Sequence, residues 1–262
     1  MQSAVAAALS ALALCALATP ARAEPEYVFV PGGTFRSVVA GNVTGGIAAV
    51  PAFRMRTLPV TRAEFAAFLA THPQWQAGKV ARALANEGYL ANEQGREARS
   101  APDGARPITR VSWFAAQAYC ESEDAQLPTW SQWEYAAAAD ETRGDARGDA
   151  AWRARILSWY ARPASQEPAA VGGSPNVYGV RDLHGLIWEW VEDFNSLLVD
   201  GDSRSTDDPD KLKFCGAGAI SLQQRDNYAV LMRVALLSSL QANDSTGSLG
   251  FRCVRAPADR QP

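Results

Sequence analysis

Apolar residues along the chain are grouped in short stretches, and long polar stretches rich in Gly, Pro, Asn and Ser separate them. Near the start, residues 27–35 (YVFVPGGTF) predict a short strand, a turn at Pro31–Gly33 and a second strand. Near the end, residues 250–255 (GFRCVR) alternate between apolar and polar side chains, which predicts another strand. The two ends of the chain therefore favour β structure.

Helices are predicted in the first half of the chain by their start signals. Thr61 and Glu64 form a capping-box pattern, and the apolar residues that follow it are spaced as on one helix face. Ser112 predicts a second helix start, and Thr129 with Gln132 a third. Residues 151–160 are helical by pattern.

The remaining stretches predict irregular chain. Residues 78–105 show no clear period and favour a long loop with at most one short helix. The Asp-, Arg- and Gly-rich residues 140–149 indicate a solvated face. From Gly172 onward, turn residues recur every few positions, which predicts short strands and loops. The pattern as a whole predicts an α+β fold that is loop-rich, with little regular secondary structure.

The composition is that of a folded globular protein, because 47% of the 262 residues are hydrophobic and 20% are charged. Residues 1–23 combine an apolar run with the small-residue pattern Ala21-Arg22-Ala23, which predicts a secretory signal cleaved after Ala23. Residues 24–262 then form a single domain, and the protein is expected to be periplasmic or secreted. Loss of Arg22 changes the formal net charge from −3 to −4. No basic cluster indicates nucleic acid, and no second apolar stretch indicates a membrane span.

Cysteine usage depends on that export. The chain beyond the predicted signal has three cysteines, Cys120, Cys215 and Cys253. In an oxidising compartment, an odd number of cysteines predicts one disulfide and one remaining thiol.

Six motifs in a fixed order resemble those of the formylglycine-generating-enzyme-like, or sulfatase-modifying-factor, family. They are FVPGGTF at 29–35, PVT at 59–61 with Phe65 and Phe68, VSWFAAQAYC at 111–120, LPT at 127–129 with WEYAA at 133–137, PNVYGV at 175–180 with DLHGLIWEW at 182–190, and LGFRC at 249–253. The resemblance implies that family's fold, a variant of the C-type-lectin fold. It also implies a disulfide between Cys120 and Cys253, whose positions match a bridge in family members.

The same resemblance implies a structural calcium site. The matching positions are Asp182 and Glu189 for side-chain oxygens, with Gly185 and Ile187 for backbone carbonyls. Calcium prefers six to eight hard oxygen ligands of this mixed kind. The alternative is that the two carboxylates only accept hydrogen bonds from local turns.

The chain lacks residues that family members use for formylglycine formation. Members that oxidise a sulfatase cysteine hold copper with two cysteines before GFRC, but Gly216 to Arg252 here contains none. Gly218 stands where those members have an oxygen-handling serine. A second branch, which resembles iron sulfoxide synthases, needs three histidines, and this chain has only His72 and His184. Neither activity is expected.

Three residues remain candidates for a redox site: Cys215, Trp188 and His184. Cys215 lies where the resemblance places the family's active cleft. A buried inert thiol, a ligand for copper or another transition metal, and a nucleophile would each fit it. His184 fits a metal ligand or a structural histidine. The resemblance places Trp188 on the cleft wall, and the alternative is an aromatic residue of the core.

Three functions follow from these candidates. The first is an exported accessory or maturation factor for a periplasmic redox enzyme, because the chain resembles exported family members encoded beside copper nitrite reductases. Its partner would be a periplasmic protein or its peptide, and a copper redox enzyme is one option. The second is a metal-dependent oxidase acting on a protein or a small molecule through a site that contains Cys215. The third is a non-catalytic module that binds a peptide or a partner.

Overall fold

The computed structural model describes residues 25–37, 47–93, 101–161, 167–197 and 228–257. The predicted signal at residues 1–23 and the candidate residue Cys215 lie outside these ranges. Helices and short strands alternate with much irregular chain, which confirms the predicted α+β, loop-rich class. The elements are β1 Tyr27–Val30, β2 Gly33–Arg36, β3 Ile47–Val50, β4 Phe53–Arg56, α1 Arg62–Thr71, α2 Ala101–Gly104, α3 Trp113–Glu121, α4 Trp130–Ala137, α5 Ala150–Tyr160, β5 Trp188–Glu189, α6 Tyr228–Ser238, β6 Leu249–Gly250 and β7 Val254–Arg255.

The strands form three small sheets. Strands β1, β4 and β7 lie in that order and are antiparallel, so that both ends of the described chain meet in one sheet. Strands β2 and β3 form an antiparallel pair, and β5 lies parallel to β6. The predicted strand at 250–255 is interrupted, because Gly250 pairs with β5 whereas Val254 pairs with β4. One alternating segment thus serves two sheets.

The predicted helix starts are confirmed by their hydrogen bonds. Thr61 accepts from the Glu64 backbone N–H while the Glu64 carboxylate accepts from the Thr61 N–H, and Thr129 and Gln132 form the same reciprocal pair. The Ser112 hydroxyl accepts from the Ala115 N–H. Each bond satisfies a donor that a helix end leaves free.

Two sequence expectations were wrong. Helix α6 lies in the second half of the chain, where only strands and loops were predicted. Its residues Val230, Arg233, Val234 and Leu237 are buried at helical spacing, so the segment gains its stability from packing. The stretch 140–149 is not wholly solvated, because Ala146 and Arg147 are buried.

The main core is a cluster of buried apolar side chains to which all five described ranges contribute, and a second, smaller cluster contains Ala146, Trp152, Ile156 and Ala229. Cys120 on α3 and Cys253 before β7 form a disulfide within it, and this is the pairing that the family resemblance implies. Among the described helices, none is long and apolar enough to cross a bilayer.

Candidate functional site

The DLHGLIWEW segment lies beside helix α5, and its local backbone places the candidate residues. Asp182 and Gly185 both have positive φ angles, 59° and 83°, so the chain turns twice before β5. A Cβ on Gly185 would lie 2.5 Å from the Trp159 ring, so only glycine lets α5 approach this closely. The turns direct His184 toward α5 and lead into Trp188 and Glu189.

His184 is surrounded by aromatic rings and uses both ring nitrogens. Its Nε2 lies 2.8 Å from the Ala137 carbonyl oxygen and its Nδ1 lies 3.3 Å from the Tyr160 hydroxyl. The rings of Trp133, Trp152 and Trp159 contact it. This burial lowers the pKa of His184 to about 4, so the imidazole is neutral near pH 7.

These contacts decide what His184 can do. The carbonyl partner requires a proton on Nε2, and Nδ1 then accepts from the Tyr160 hydroxyl. A metal ion or an acid–base role would need a nitrogen that is free of such a partner. The arrangement therefore fits a structural histidine, one of the two alternatives left open by the sequence.

Trp188 is covered by a residue that the sequence analysis did not identify. The Tyr160 ring stacks on the Trp188 indole, with ring centroids 4.9 Å apart. Burial raises the pKa of Tyr160 to about 12, so its hydroxyl stays protonated. Tyr160 thus contacts Trp188 through its ring and His184 through a hydrogen bond between neutral groups.

Glu189 is fully buried and forms an ion pair with Arg252. Arg252 donates to the two carboxylate oxygens from Nε and Nη2, at 2.9 and 2.8 Å, and Trp133 Nε1 donates at 2.8 Å. A second buried guanidinium, that of Arg233 on α6, donates to the Glu189 backbone oxygen. It lies over the face of Trp133, 3.5 Å from the ring centroid. Burial lowers the pKa of Arg233 to about 10.

These contacts bear directly on the calcium set of Asp182, Gly185, Ile187 and Glu189. Asp182 accepts hydrogen bonds from the backbone N–H groups of Gly172 and Gly173, at 2.7 and 3.0 Å. The Glu189 oxygens are directed at Arg252 and Trp133 instead. A cation between the two carboxylates would have to displace a buried, bidentate guanidinium, so the side chains present do not fit a calcium ion held by this pair. The described residues also contain no group of three or more His, Cys, Asp or Glu side chains that could hold a metal.

A cleft of about 320 Å³ opens next to His184. Its walls are helix α5, the chain that follows α4 and the loop 173–184. Trp152, Arg155 and Trp159 from α5 line it, together with Glu141 and Asp182. The spacing of Trp152, Ile156 and Trp159 along α5 is the sequence signal that could have pointed to this wall.

Comparison with known proteins gives matches over most of the chain. The family model described as sulfatase-modifying factor enzyme 1-like domain matches residues 16–257. A formylglycine-generating enzyme of Streptomyces coelicolor is 32% identical over 182 residues, which cover 58% of this chain and 56% of that protein. A hercynine oxygenase of Mycolicibacterium thermoresistibile is 32% identical over 163 residues, which cover 54% of this chain and 36% of that protein.

A solved structure is similar over a larger share of the chain. The structure of PvdO from Pseudomonas aeruginosa is 18% identical, with a TM-score of 0.48, and the match covers 89% of this chain and 95% of that one. The two curated relatives are covered over only about a third to three fifths of their length.

Proposed function

The chain belongs to the sulfatase-modifying factor enzyme 1-like domain family, and from this we propose that it is an exported accessory factor in the maturation of a redox enzyme. In this role it binds a protein partner, or a peptide of that partner, and does not act as a formylglycine-generating oxidase. A periplasmic copper enzyme is the partner class that we favour.

The observation that carries the proposal is the number of thiols. The disulfide uses Cys120 and Cys253, so beyond the predicted signal only Cys215 remains as a free thiol. Soft thiolate ligands are what select Cu(I), and one thiol cannot supply a pair. His184 does not replace the second ligand in this arrangement, because both of its nitrogens have hydrogen-bond partners.

The cleft beside His184 supports a binding role. It is lined by tryptophan rings together with a few charged groups, which is the usual composition of a ligand site. Trp152 contacts His184 and also lines the cleft, whose volume of about 320 Å³ is space that a ligand can occupy.

A peptide assay tests the negative part of the proposal. The purified protein, supplied with copper and a reductant, is incubated with a sulfatase-type cysteine peptide, and the peptide mass is followed. We expect no conversion to formylglycine. A copper-dependent mass loss that the Cys215→Ser variant abolishes would overturn the proposal in favour of a Cys215 oxidase.

A strain comparison tests the positive part. Periplasmic fractions from cells with and without this chain are compared for the copper content and activity of their copper enzymes. We expect one enzyme to lose activity without the chain and to regain it with either the wild type or the Cys215→Ser variant. Unchanged copper enzymes would contradict an accessory role.

A further inference from the structure

We propose that the cleft beside His184 binds a cationic side chain, the guanidinium of an arginine or the ammonium of a lysine. The inference rests on the proposed function only in taking that side chain to belong to the protein partner. Four features of the cleft support it: the negative charge of its lining, the fixed carboxylate of Asp182, its indole rings, and the guanidinium of Arg155, which already lies there.

The charge of the cleft is predominantly negative. Asp140, Glu141 and Asp182 line it, and Arg155 is the one cation among the described lining residues. Asp140 is paired with Arg143 and Glu141 with Arg155. Asp182 is paired with no cationic side chain among the described residues, so no ion pair within this part of the chain offsets its charge.

Asp182 is held in position by its surroundings. Its backbone adopts a φ of 59°, which is uncommon for a residue other than glycine. Two backbone N–H groups, from Gly172 and Gly173, donate to its carboxylate. A Cβ on Gly173 would lie 2.5 Å from Asp182 Oδ1, so glycine is required for this approach. A fixed carboxylate loses little freedom when it binds a cation.

Indole rings supply the second half of a cation site. Trp152 and Trp159 line the same cleft as Asp182. The electron-rich face of an indole attracts a cation within about 6 Å, most strongly where water is partly excluded. A carboxylate and aromatic faces in one cleft favour a guanidinium or an ammonium group over an anion.

Arg155 shows that the cleft accommodates such a group. Its guanidinium carbon lies 5.9 Å from the centre of the Trp159 ring, and Nη1 lies 3.1 Å from Glu141 Oε1. Both side chains of this pair are nearly half exposed, 44% and 48%, and exposed pairs contribute little to stability. A partner's cation can therefore take the place of Arg155 on Trp159 and at Glu141.

Titration with capped amino acids tests the inference. N-acetyl-arginine methylamide and its neutral isostere, N-acetyl-citrulline methylamide, are added to the ¹⁵N-labelled protein, and the indole N–H signals are followed by NMR. We expect the arginine compound to shift the Trp152 and Trp159 signals and to bind about tenfold more tightly than the citrulline compound. Equal affinity of the two compounds would overturn the proposal.

Four variants locate the site. Asp182→Asn keeps the side-chain shape and tolerates the positive φ, and we expect it to weaken arginine binding about tenfold. Gly173→Ala keeps the charge but displaces the carboxylate, so the same loss is expected. Arg155→Gln should tighten binding, because it removes the internal competitor. Glu87→Gln, a change at an exposed carboxylate outside the cleft, should leave the affinity unaltered.

Three results would contradict the assignment: wild-type affinity in Asp182→Asn, weaker binding in Arg155→Gln, or indole shifts caused by calcium chloride but not by the arginine compound. Far-UV circular dichroism checks that each variant is folded before its affinity is compared.

The strain comparison separates this inference from the proposed function. If cells carrying Asp182→Asn still mature the copper enzyme, the cleft inference fails while the accessory role stands. If cells lacking the chain mature it normally, the accessory role fails, whatever the capped amino acids do.

Discussion

The imidazole of His184 is an example of surroundings deciding what a side chain can do. A histidine on a loop commonly changes its charge between about pH 5 and pH 8 and is able to bind a metal or transfer a proton. Both possibilities are removed here, because burial among three tryptophans disfavours the charged ring and the Ala137 carbonyl occupies Nε2. The neutral ring then packs as a polar part of an aromatic cluster.

This burial makes the stability of the protein depend on pH. The pKa of His184 is about 4 in the folded state and about 6.5 when it is unfolded, so between these values the unfolded chain binds more protons. The free energy of unfolding should therefore fall as the pH falls from about 6.5 to about 4, by up to about 3 kcal/mol from this residue. Urea unfolding of the wild type and of His184→Gln across this range measures the effect, because carboxylate contributions are common to both. Parallel profiles would show that His184 is not the cause.

At the scale of elements, β5, β6 and α6 hold the centre of the molecule together. The parallel pair of β5 and β6 brings Trp188 and Glu189 beside Leu249 and Gly250. Helix α6 then contributes Arg233, which lies over Trp133 and donates to the carbonyl of Glu189. Glu189 is thus contacted by arginines of two separate segments: Arg252 donates to its carboxylate and Arg233 to its backbone oxygen.

At Gly250 in β6, the neighbouring residues leave no room for a side chain. A Cβ at this position would lie 2.2 Å from the Ile108 carbonyl oxygen and 2.8 Å from Ile187 Cδ1. Gly250→Ala should therefore force β6 from its neighbours and lower the free energy of unfolding by about 2–3 kcal/mol. Gly148→Ala is the matched control, since no atom lies within 4 Å of its added Cβ. Equal stability of the two variants in urea would mean that the strands tolerate the shift.

At the scale of the whole molecule, the sheets are small, and distant segments are held together by the buried core and by a disulfide. The described core draws residues from every described range, and the Cys120–Cys253 bridge ties α3 to the last strand across 133 positions. Such a link restricts the unfolded chain strongly because the loop it closes is long.

Removing the bridge should therefore cost much of the stability. The Cys120→Ser, Cys253→Ser double variant is expected to lose about 2–5 kcal/mol, the range typical of native disulfides. Alkylation of the non-reduced protein should label Cys215 alone, and Cys215→Ser should respond to reductant as the wild type does. Mass spectrometry identifies the labelled cysteines. Label on Cys120 or Cys253 before reduction would contradict the pairing.

Sequence alone determined the features that depend on neighbours in the chain or on counting. The caps at Thr61, Ser112 and Thr129 follow from hydrogen bonds that span three residues, so local sequence specifies them. The six ordered motifs led to the family and to its loop-rich fold, and the sequence alone shows that no cysteine lies between Gly216 and Arg252.

Tertiary structure alone decided which groups meet across long separations. The spacing of Asp182 and Glu189 is compatible with a calcium ion, but Arg252 approaches Glu189 from 63 positions away and takes its carboxylate. Helix α6 has few local signals, and burial of Arg233 against Trp133 depends on a contact that no local pattern encodes. The cleft likewise exists only because α5 packs beside the loop that carries Asp182. Desolvation and charge pairing depend on what surrounds a group in space, and for this reason the chemistry of His184, Glu189 and Asp182 could not be obtained from their order in the chain.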